Sequence, residues 1–298
     1  MRNMTKDKIL IFGGTGFVGS VFYQNYFKEY DITVLGSNFN YSSMNTLKKL
    51  IKKVNAKYII YMSAISAIKK VDENLAEAFK VSYDYLNNVL ISLLSIDREF
   101  KFLFISSAQV YGFNCLSHNK PVIPVNENFP LNPENTYAYL KIFSENIVKK
   151  FCEENYIFYS IARPFNHTGP TQNDNFLIPK ICKFASQQIE QVLELKDISE
   201  YRDYTDVNDI VDAYNKILKS GKNKEIYNIC SGIGYKAEDI ILKVNNLINK
   251  NIKFSFLKND KLNYICGDFS KLNKHTSWKP KIKLDETLKM MIENTNFS

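Results

Sequence analysis

The chain has 298 residues, 45% of them apolar and 23% charged, and it carries a formal net charge of +8. This length and composition are typical of a globular protein with a sizeable core, in one large domain or two modest ones. The sequence holds no apolar run near the ~20 residues that span a bilayer. Ile9–Phe12 is also too short for a signal segment. We therefore exclude a membrane protein and expect a cytoplasmic protein without targeting segments.

The basic charge does not indicate a nucleic-acid partner. The lysines occur in pairs along predicted helices, without an arginine-rich block or an aromatic RNA-binding signature. Solvated helix faces explain them, and the positive field favours an anionic small substrate. The 5 cysteines stand singly without CxxC spacing, which argues against a disulfide framework and a zinc site. We expect reduced thiols and no metal.

Short apolar runs alternate with helical patterns through the first half of the chain. The runs predict strands at Ile9–Phe12, Ile32–Leu35, Tyr58–Tyr61, Phe102–Ser106 and Phe158–Ala162. The segments between them predict helices at Phe17–Tyr30, Met44–Val54, Leu75–Leu94 and Tyr137–Asn155. This alternation is typical of an α/β fold with a doubly wound parallel sheet, the Rossmann architecture. Such sheets bind ligands at the carboxyl ends of their strands, where the strand order reverses.

The second half is less regular. An irregular stretch over Tyr111–Pro133 predicts a functional loop. After Ala162 the pattern predicts helices at Leu177–Gln187, Val207–Lys219 and Ala237–Asn249, and strands at Ile226–Ile229 and Lys253–Leu257. We interpret residues 1–165 as the Rossmann domain and residues 166–298 as a smaller C-terminal α/β substrate-binding lobe. This division allows the chain to cross between the two lobes.

Glycines mark the first strand end with the spacing GxxGxxG. Gly13 allows a tight turn, Gly16 lets the backbone approach a pyrophosphate, and Gly19 lets the helix pack against the strand. The N–H groups and dipole of the following helix favour an anion there. The pattern predicts a dinucleotide site, although a glycine turn that binds nothing has the same spacing.

The end of the second strand bears on the choice of dinucleotide. An acidic residue there would bind a ribose 2′-hydroxyl and repel a 2′-phosphate. The strand ends in VLGSNFN, without an acidic side chain at Gly36, Ser37 or Asn38. Ser37 and Asn38 can donate hydrogen bonds to a phosphate. NADP is therefore favoured as cofactor, with NAD as the alternative.

Tyr137 and Lys141 are four residues apart on a predicted helix, so their side chains share one face. A nearby ammonium lowers the pKa of a tyrosine, which suits Tyr137 to proton transfer with a carbonyl or an alcohol. Ser107, at a predicted strand end, can hydrogen-bond the same oxygen. Alone the pair would be a helix surface, but with the glycine loop and the serine it predicts a catalytic site.

Six motifs along almost the whole chain carry a resemblance to a known family. They are GGTGFVG (Gly13–Gly19), SSAQVYG (Ser106–Gly112), YxxxK (Tyr137–Lys141), RPFNHTGP (Arg163–Pro170), RDYTDVNDIV (Arg202–Val211) and GDFSKL…SWKPKI (Gly267–Ile282). The chain resembles the extended short-chain dehydrogenases/reductases, in their nucleotide-sugar branch. RPFNHTGP and RDYTDV are most similar to the GDP-4-keto-6-deoxy-D-mannose reductases.

The resemblance implies a role for each site residue. Tyr137 would be the general acid for a C4 keto group, Lys141 would hold the nicotinamide ribose and tune Tyr137, and Ser107 would polarise the carbonyl. The implied cofactor-binding residues are Gly13, Thr15, Gly16, Phe17, Val18, Gly19, Ser37, Asn38, Ser63, Ala64, Tyr137, Lys141, Pro164 and Phe165. The implied substrate-binding residues are Ser107, Ala108, Gln109, Asn166, Lys180 and Arg202.

Within the substrate set, Asn166 should approach the sugar diphosphate and Arg202 should pair with a substrate phosphate, which its guanidinium fits bidentately. Pro164 and Phe165 should line the nicotinamide. His167 is expected to order its loop rather than to act as an acid or base.

Departures from the family pattern reduce the number of reactions that the chain is expected to catalyse. The related 4,6-dehydratases carry Glu two residues after the catalytic serine, and the 3,5-epimerase/reductases carry Cys there and His after the later GP. This chain has Gln109 and Thr171. Glutamine cannot abstract a proton from carbon, so dehydration and 3,5-epimerisation lose their base. Ser63 and Ser82 are two further departures, and they affect cofactor affinity or proton relay rather than the reaction class.

The favoured function is NADPH-dependent reduction of the C4 keto group of a GDP-linked 4-keto-6-deoxy sugar or heptose, for deoxy-sugar and surface-polysaccharide synthesis. One alternative is an NAD-dependent nucleotide-sugar C4 epimerase, and another is a catalytically silent NAD(P)-sensing protein. The predicted helices Leu75–Leu94 and Tyr137–Asn155 suit a homodimer face, although core packing would use the same apolar residues.

Overall fold

The computed structural model describes residues 6–65, 68–112, 114–115, 124–187, 192–195, 200–249, 252–256 and 263–295. The strands are β1 (Lys8–Phe12), β2 (Asp31–Leu35), β3 (Tyr58–Tyr61), β4 (Lys101–Ile105), β5 (Asn114–Cys115), β6 (Phe158–Pro164), β7 (Asn166–Thr168), β8 (Leu193–Leu195), β9 (Tyr201–Asp206), β10 (Glu225–Ile229), β11 (Gly234–Tyr235), β12 (Phe254–Phe256) and β13 (Asn263–Ile265).

The helices follow the same chain order. They are α1 (Phe17–Tyr26), α2 (Met44–Val54), α3 (Ile68–Glu73), α4 (Leu75–Phe79), α5 (Leu86–Leu93), α6 (Thr136–Glu154), α7 (Leu177–Ser186), α8 (Val207–Ser220), α9 (Ala237–Ile248), α10 (Ser270–Thr276) and α11 (Leu284–Thr295). A π-helical segment (Lys80–Tyr85) joins α4 to α5, and a short 3₁₀ helix (Ala108–Tyr111) follows β4.

Six parallel strands form the central sheet in the order β2-β1-β3-β4-β6-β10. The chain moves outward from β1 to β2 and then in the other direction through β3, β4 and β6. The strand order therefore reverses beside β1, and helices cover both faces of the sheet. The predicted doubly wound Rossmann fold is confirmed.

Side-chain alternation along β1 separates two cores. Ile9 and Ile11 pack on the face covered by α1 and α8, whereas Leu10 and Phe12 pack on the face covered by α2, α5 and α6. All four side chains are fully buried. Each such burial stabilises the fold by about 1.5–3 kcal/mol. A parallel strand with both faces covered has this pattern of continuous apolar residues.

Local signals explain α2, whose predicted bounds are confirmed. Its apolar positions Leu47 and Ile51 are one turn apart and fully buried. The Ser43 hydroxyl accepts the N–H of Thr46 at 3.4 Å at the start of the helix. Asn55 ends the helix with φ 47°, a left-handed conformation that asparagine tolerates well.

Two predicted helices differ from the structure. Phe17–Tyr30 ends as a helix at Tyr26, and the following residues form turns closed by the N–H groups of Glu29 and Tyr30 on the carbonyl of Tyr26. The single helix predicted over Leu75–Leu94 is instead α4, the π-helical segment and α5 in succession. The i→i+5 hydrogen bonds of a π-helical turn interrupt the α-helix, and the apolar pattern of the sequence did not predict this interruption.

Later parts of the chain return to the central sheet. β10 pairs with β6, and α8 packs beneath the sheet with its apolar face in the same core as β1. Beside this body, β8 pairs with β12, and α7, α9 and α11 share a separate apolar core. Strands β11, β9, β13 and β5 form a further small sheet. The division of the chain at residue 165 stays a prediction.

Three observations bear on the compositional expectations. Cys152, Cys182, Cys230 and Cys266 are buried free thiols, while the side chain of Cys115 lies outside the described residues. Across the described ranges, no group of three or more His, Cys, Asp or Glu side chains could hold a metal ion. Within those same ranges, every helix is too short or too polar to cross a membrane.

Candidate active site

The parallel sheet gathers separate parts of the chain at one edge. The glycine loop follows β1, Ser37 follows β2, Ser63 follows β3, Ser107 follows β4 and Phe165 follows β6. These segments are far apart in sequence, but the carboxyl ends of parallel strands share one edge of a sheet. The reversal of strand order beside β1 makes this edge a crevice for a ligand.

Two glycines of the loop leave no space for a side chain, whereas a third has free space around its Cβ position. Gly13 has φ 76°, and a Cβ atom there would lie 2.4 Å from the Cα of Ser63. A Cβ at Gly19 would lie 2.2 Å from the carbonyl oxygen of Gly14. At Gly16, the N-cap of α1, the Cβ position has no atom within 4 Å from the described part of the chain beyond its two sequence neighbours. The backbone at the start of α1 is therefore accessible to an anion, as a bound dinucleotide requires.

The end of β2 has the polar character that a phosphate favours. Ser37 and Asn38 are exposed in a turn closed by the N–H of Phe39 on the carbonyl of Gly36, at 3.2 Å. A Cβ at Gly36 would lie 2.6 Å from the side chain of Thr15, so this turn lies against the glycine loop. These two polar residues and the open loop together fit a phosphorylated dinucleotide.

Helix α6 carries the predicted catalytic pair. The side-chain oxygen of Asn135 accepts the N–H of Ala138 at 2.9 Å and so caps the start of the helix. One turn apart on this helix, the Nζ of Lys141 lies 5.7 Å from the ring centroid of Tyr137. Lys141 also donates to the carbonyl of Ile105 at 2.8 Å, which fixes its ammonium at the end of β4.

Ser107 joins the pair from the other side. Its side chain lies near Tyr137 and opposes the rise in the pKa of that phenol, and its hydroxyl oxygen accepts the N–H of Gln109 at 3.2 Å. Ser107 also begins the 3₁₀ helix, so its position is set by local backbone geometry. The structure thus brings Ser107, Tyr137 and Lys141 together, as the sequence pattern predicted.

Burial controls the protonation of this group. It raises the pKa of Tyr137 to about 12, opposed by the nearby Ser107 side chain. The sequence predicted a lower pKa because of Lys141, and this prediction of direction was wrong, because burial removes the phenol from water. Burial likewise lowers the pKa of Lys141 to about 8, opposed by the negative charge of Glu145. Tyr137 is therefore protonated at neutral pH and can donate a proton. The neighbouring Lys141 has a pKa close to neutral pH.

A buried ion pair holds the elements behind the catalytic group, and sequence reasoning missed it. Arg163 at the end of β6 donates to both carboxylate oxygens of Glu145 on α6, from Nε at 2.9 Å and from Nη2 at 2.7 Å. Ser106 donates to the same carboxylate at 2.6 Å. The available signal was Glu145 itself, four residues after Lys141 and therefore on the same face of the helix.

The network continues to the far edge of the sheet. Arg163 donates to the hydroxyl of Tyr111 at 2.9 Å, and that hydroxyl donates to Asn228 at 2.8 Å. Asn228 in turn donates its side chain to the carbonyl of Val125 at 2.9 Å. This chain of contacts joins β4, α6, β6, β10 and the segment after residue 123. It fixes the strand ends from which the site residues project.

A small cavity adjoins Lys141. Its volume is ≈ 10 Å³, enough for about one water molecule, and Ala64, Ser82, Tyr137 and Lys141 contribute to its lining. Ser82 lies on the π-helical segment, and its carbonyl accepts the hydroxyl of Ser144 at 3.0 Å. Ser82 and Lys141, the predicted catalytic lysine, therefore line the same cavity.

The residues predicted to face the substrate lie on several elements. Gln109 is on the 3₁₀ helix, and its side-chain oxygen lies 3.5 Å from the side-chain nitrogen of Asn135. Asn166 is half-buried on β7, which pairs with β9. Lys180 lies on α7 and Arg202 on β9. Arg202 forms an ion pair with Glu200, a partner that the sequence analysis did not foresee.

Phe165 and His167 have clear local roles. The ring of Phe165 is 3% exposed and lies 6.3 Å from Tyr111 in a buried apolar cluster, so it is packed in the protein interior. The Nδ1 of His167 lies 3.0 Å from the carbonyl oxygen of Phe165, and its ring stacks on Phe17. Burial lowers the pKa of His167 and keeps it neutral. These contacts are those of a loop-ordering residue.

Asp203 explains the acidic half of the RDYTDV motif. Its carboxylate is fully buried and accepts the N–H groups of Ser231 and Gly232, each at 2.8 Å, and of Gly267 at 3.2 Å. It thereby joins β9 to two loops. The residue beside Arg202 is a structural anchor, which spacing alone does not distinguish from a ligand-binding carboxylate.

An open groove lies beside Lys180. Its volume is ≈ 500 Å³, and it is lined by Lys180, Phe184, Val192, Leu193 and Glu194. Lys180 donates to the carbonyl of Glu194 at 2.9 Å, which joins α7 to β8. The groove offers an aromatic ring, a carboxylate and an ammonium group to a ligand.

Comparison with known proteins identifies the family. The profile of the NAD dependent epimerase/dehydratase family matches residues 9–230. The chain belongs to this family. Members of the same group of enzymes act as NAD(P)-dependent oxidoreductases, epimerases and dehydratases of nucleotide sugars, and the chain shares that class of activity.

Individual relatives share about a quarter of their residues with the chain. It is 25% identical over 244 residues to the GDP-6-deoxy-D-mannose reductase of Pseudomonas aeruginosa, covering 79% of each protein. It is 26% identical over 275 residues to the GDP-6-deoxy-D-talose 4-dehydrogenase of Aggregatibacter actinomycetemcomitans, covering 89% of this chain and 90% of that protein.

Solved structures share the fold. The structure of RMD from Pseudomonas aeruginosa complexed with NADPH superposes with a TM-score of 0.88 over 98% of both chains, at 24% identity. The UDP-glucose 4-epimerase of Thermus thermophilus in complex with NAD superposes with a TM-score of 0.83 over 97% of this chain and 99% of that one, at 19% identity.

Proposed function

We propose that the protein reduces the C4 keto group of a GDP-linked 4-keto-6-deoxy sugar or heptose with NADPH, for deoxy-sugar and surface-polysaccharide synthesis. One observation carries the proposal. Ser107, Tyr137 and Lys141 lie together at the sheet edge that also holds the open glycine loop, and the neighbouring side chain is the amide of Gln109. This set can protonate an oxygen, but it lacks a base for a carbon-bound proton.

The proposed reaction needs a proton donor and a fixed ketone. The nicotinamide supplies the hydride when it is bound. Tyr137 donates its proton to the carbonyl oxygen, and the hydroxyl of Ser107 donates a hydrogen bond to the same oxygen. Lys141 keeps a positive charge beside Tyr137 and restores its proton. The dinucleotide would be held by the backbone of the glycine loop and, at its 2′-phosphate, by Ser37 and Asn38.

The groove beside Lys180 supports guanine as the base. Guanine presents two adjacent N–H donors on one edge, and the exposed carboxylate of Glu194 can accept both. Phe184 offers a ring for stacking, and Lys180 offers a charge for the diphosphate. Uracil and thymine present a single N–H donor between two acceptors, so they suit this carboxylate less well. NMR titration with GDP, UDP and dTDP tests this preference.

Assembly and location complete the proposal. Exposed side chains on α4, the π-helical segment and α6 form one apolar face, with Phe79, Tyr83, Tyr139 and Phe143 between 43% and 61% exposed. A second copy of the chain would cover this face in a homodimer. Sedimentation of the wild type and of Phe143→Lys tests it, since the variant should be monomeric. Buried free thiols suit a reducing compartment, and we place the enzyme in the cytoplasm.

The decisive experiment offers GDP-, dTDP- and CDP-linked 4-keto-6-deoxy sugars with NADPH, follows nicotinamide absorbance and identifies the product by NMR. We expect oxidation of NADPH with the GDP-linked ketone. Protein that retains NAD through desalting and interconverts C4 epimers without added cofactor would support the epimerase instead. Binding of dinucleotide without turnover of any sugar would support the sensor.

A further inference from the structure

The hydroxyl of Tyr41 lies beneath the glycine loop. Its oxygen is 3.2 Å from the backbone N–H of Gly13, which it accepts, and it donates to the carbonyl of Leu35 at 3.4 Å. The carbonyl of Leu35 also accepts the N–H groups of Gly13 at 2.8 Å and Gly14 at 3.1 Å. Tyr41 therefore closes a ring of hydrogen bonds between the glycine loop and the end of β2.

Ser63 joins this ring to a third strand. A Cβ at Gly13 would lie 2.4 Å from the Cα of Ser63 and 2.9 Å from its Cβ, so this residue packs directly against the turn. Its side chain also lies near the hydroxyl groups of Tyr41 and Tyr61, and it opposes the rise in the pKa of both phenols. A serine at the end of β3 and a tyrosine after β2 therefore lie beside the same turn of the loop.

Tyr41 is itself firmly held. Its side chain is 2% exposed, and its ring stacks on Tyr85 at 5.2 Å and meets the edge of Phe39 at 5.3 Å. Its carbonyl accepts the side chain of Asn88 at 3.1 Å. These contacts hold the buried phenol in one position. Because Asn88 belongs to α5, the position of the Tyr41 hydroxyl beside the glycine loop depends on that helix.

We infer that Tyr41, together with Ser63, is a positioning residue that holds the glycine loop in its dinucleotide-binding form. The inference rests on the proposed function, because the loop must bind a dinucleotide for its position to matter. Gly13 is three residues before Gly16, where the open backbone faces the ligand space. Loss of the Tyr41 hydroxyl leaves the N–H of Gly13 with Leu35 alone and frees this turn to move.

The test compares Tyr41→Phe, Ser63→Ala and their double variant with the wild type. Tyr30→Phe is the matched control, since its hydroxyl is also buried and donates to Asn215 at 2.8 Å, away from the loop. The dissociation constant for NADPH and for NADH is measured by fluorescence titration. Thermal unfolding midpoints are measured without dinucleotide.

We expect Tyr41→Phe to weaken dinucleotide binding by about 2- to 10-fold, the loss of one net hydrogen bond. The KM for NADPH should rise with kcat nearly unchanged. Ser63→Ala should act in the same direction, and the double variant should lose less than the two single losses combined, because both residues lie against Gly13. Tyr30→Phe should lower only the unfolding midpoint.

Two results would overturn the inference, and they differ in what else they refute. An unchanged dissociation constant in both Tyr41→Phe and Ser63→Ala, with a midpoint lowered as in Tyr30→Phe, would make the hydroxyl purely structural and leave the proposed function intact. Wild-type protein that binds neither NADPH nor NADH would refute the proposed function together with the inference.

Discussion

Alanine at two glycines of one loop should separate binding from folding. Gly16 has φ −80° and ψ −176°, an extended conformation that any residue adopts, and among the residues that the structure describes only its sequence neighbours come within 4 Å of its Cβ position. Gly16→Ala should therefore leave the unliganded fold intact. Fewer unfolded conformations should even stabilise it by about 0.4–1 kcal/mol.

The same methyl group should obstruct the ligand. It would occupy the space through which a pyrophosphate reaches the N–H groups at the start of α1. Loss of one hydrogen bond to a charged group costs about 1.5–3 kcal/mol, or roughly 10- to 100-fold in affinity. We expect the dissociation constant for NADPH to rise by this factor in Gly16→Ala.

Gly13→Ala is the matched variant, and it should destabilise the unliganded fold. Its methyl group would meet the backbone of Ser63 at 2.4 Å, and its φ of 76° disfavours any side chain. The left-handed conformation alone costs about 1–2 kcal/mol, and the contact adds to it. The unfolding midpoint should fall before any dinucleotide is added.

The assays are thermal unfolding without ligand and fluorescence titration with NADPH, run on both variants and the wild type. An unchanged dissociation constant in Gly16→Ala would refute the reasoning, because it would mean that the ligand does not approach at this position. Stability lost in Gly16→Ala would refute the assignment of open space there.

Four further predictions follow from the site. Tyr137→Phe should abolish ketone reduction with near-normal NADPH binding, and unchanged turnover would contradict its role as acid. Burial lowers the pKa of Lys141 to about 8, so the reduction rate should fall as pH rises through 8, and a flat profile would contradict this. Between pH 8 and about 10.4, the pKa of an ordinary lysine, the unfolded chain binds more protons at this site than the folded chain does. The free energy of unfolding should therefore rise with pH in this range. Glu145→Gln leaves a buried guanidinium without its carboxylate and should cost about 3–5 kcal/mol in urea unfolding; the exposed control Glu154→Gln should cost under about 1 kcal/mol. Glu194→Ala should weaken GDP binding several-fold and spare NADPH, and equal losses for GDP and UDP would argue against guanine selection.

Much of the fold was predictable because it depends on local periods. The strands of the first half follow apolar runs, and α2 and α6 follow helical spacing with Ser43 and Asn135 as caps. The missed elements lack such signals. Strand β7 has three residues and pairs with β9, and the sequence pattern predicted neither of these strands nor the π-type hydrogen bonds after α4.

The candidate site divides in the same way. Spacing placed Lys141 one turn after Tyr137, and the glycine pattern predicted the loop, because both depend on backbone geometry within a few residues. The ring position of Phe165 and the partner of Arg202 depend on packing, and the sequence did not indicate them. Tertiary burial also reversed the expected direction of the pKa of Tyr137.

The sequence by itself indicated the family, through the glycine loop and the pattern of Ser107, Tyr137 and Lys141, and the family match over residues 9–230 confirms it. Only the tertiary structure decided what holds these groups. Arg163 meets Glu145 across 18 residues, and Tyr41 meets Gly13 across 28. Such contacts follow from the order and register of parallel strands, which bring distant segments to one edge of the sheet. The secondary-structure propensities of the individual segments do not indicate that order.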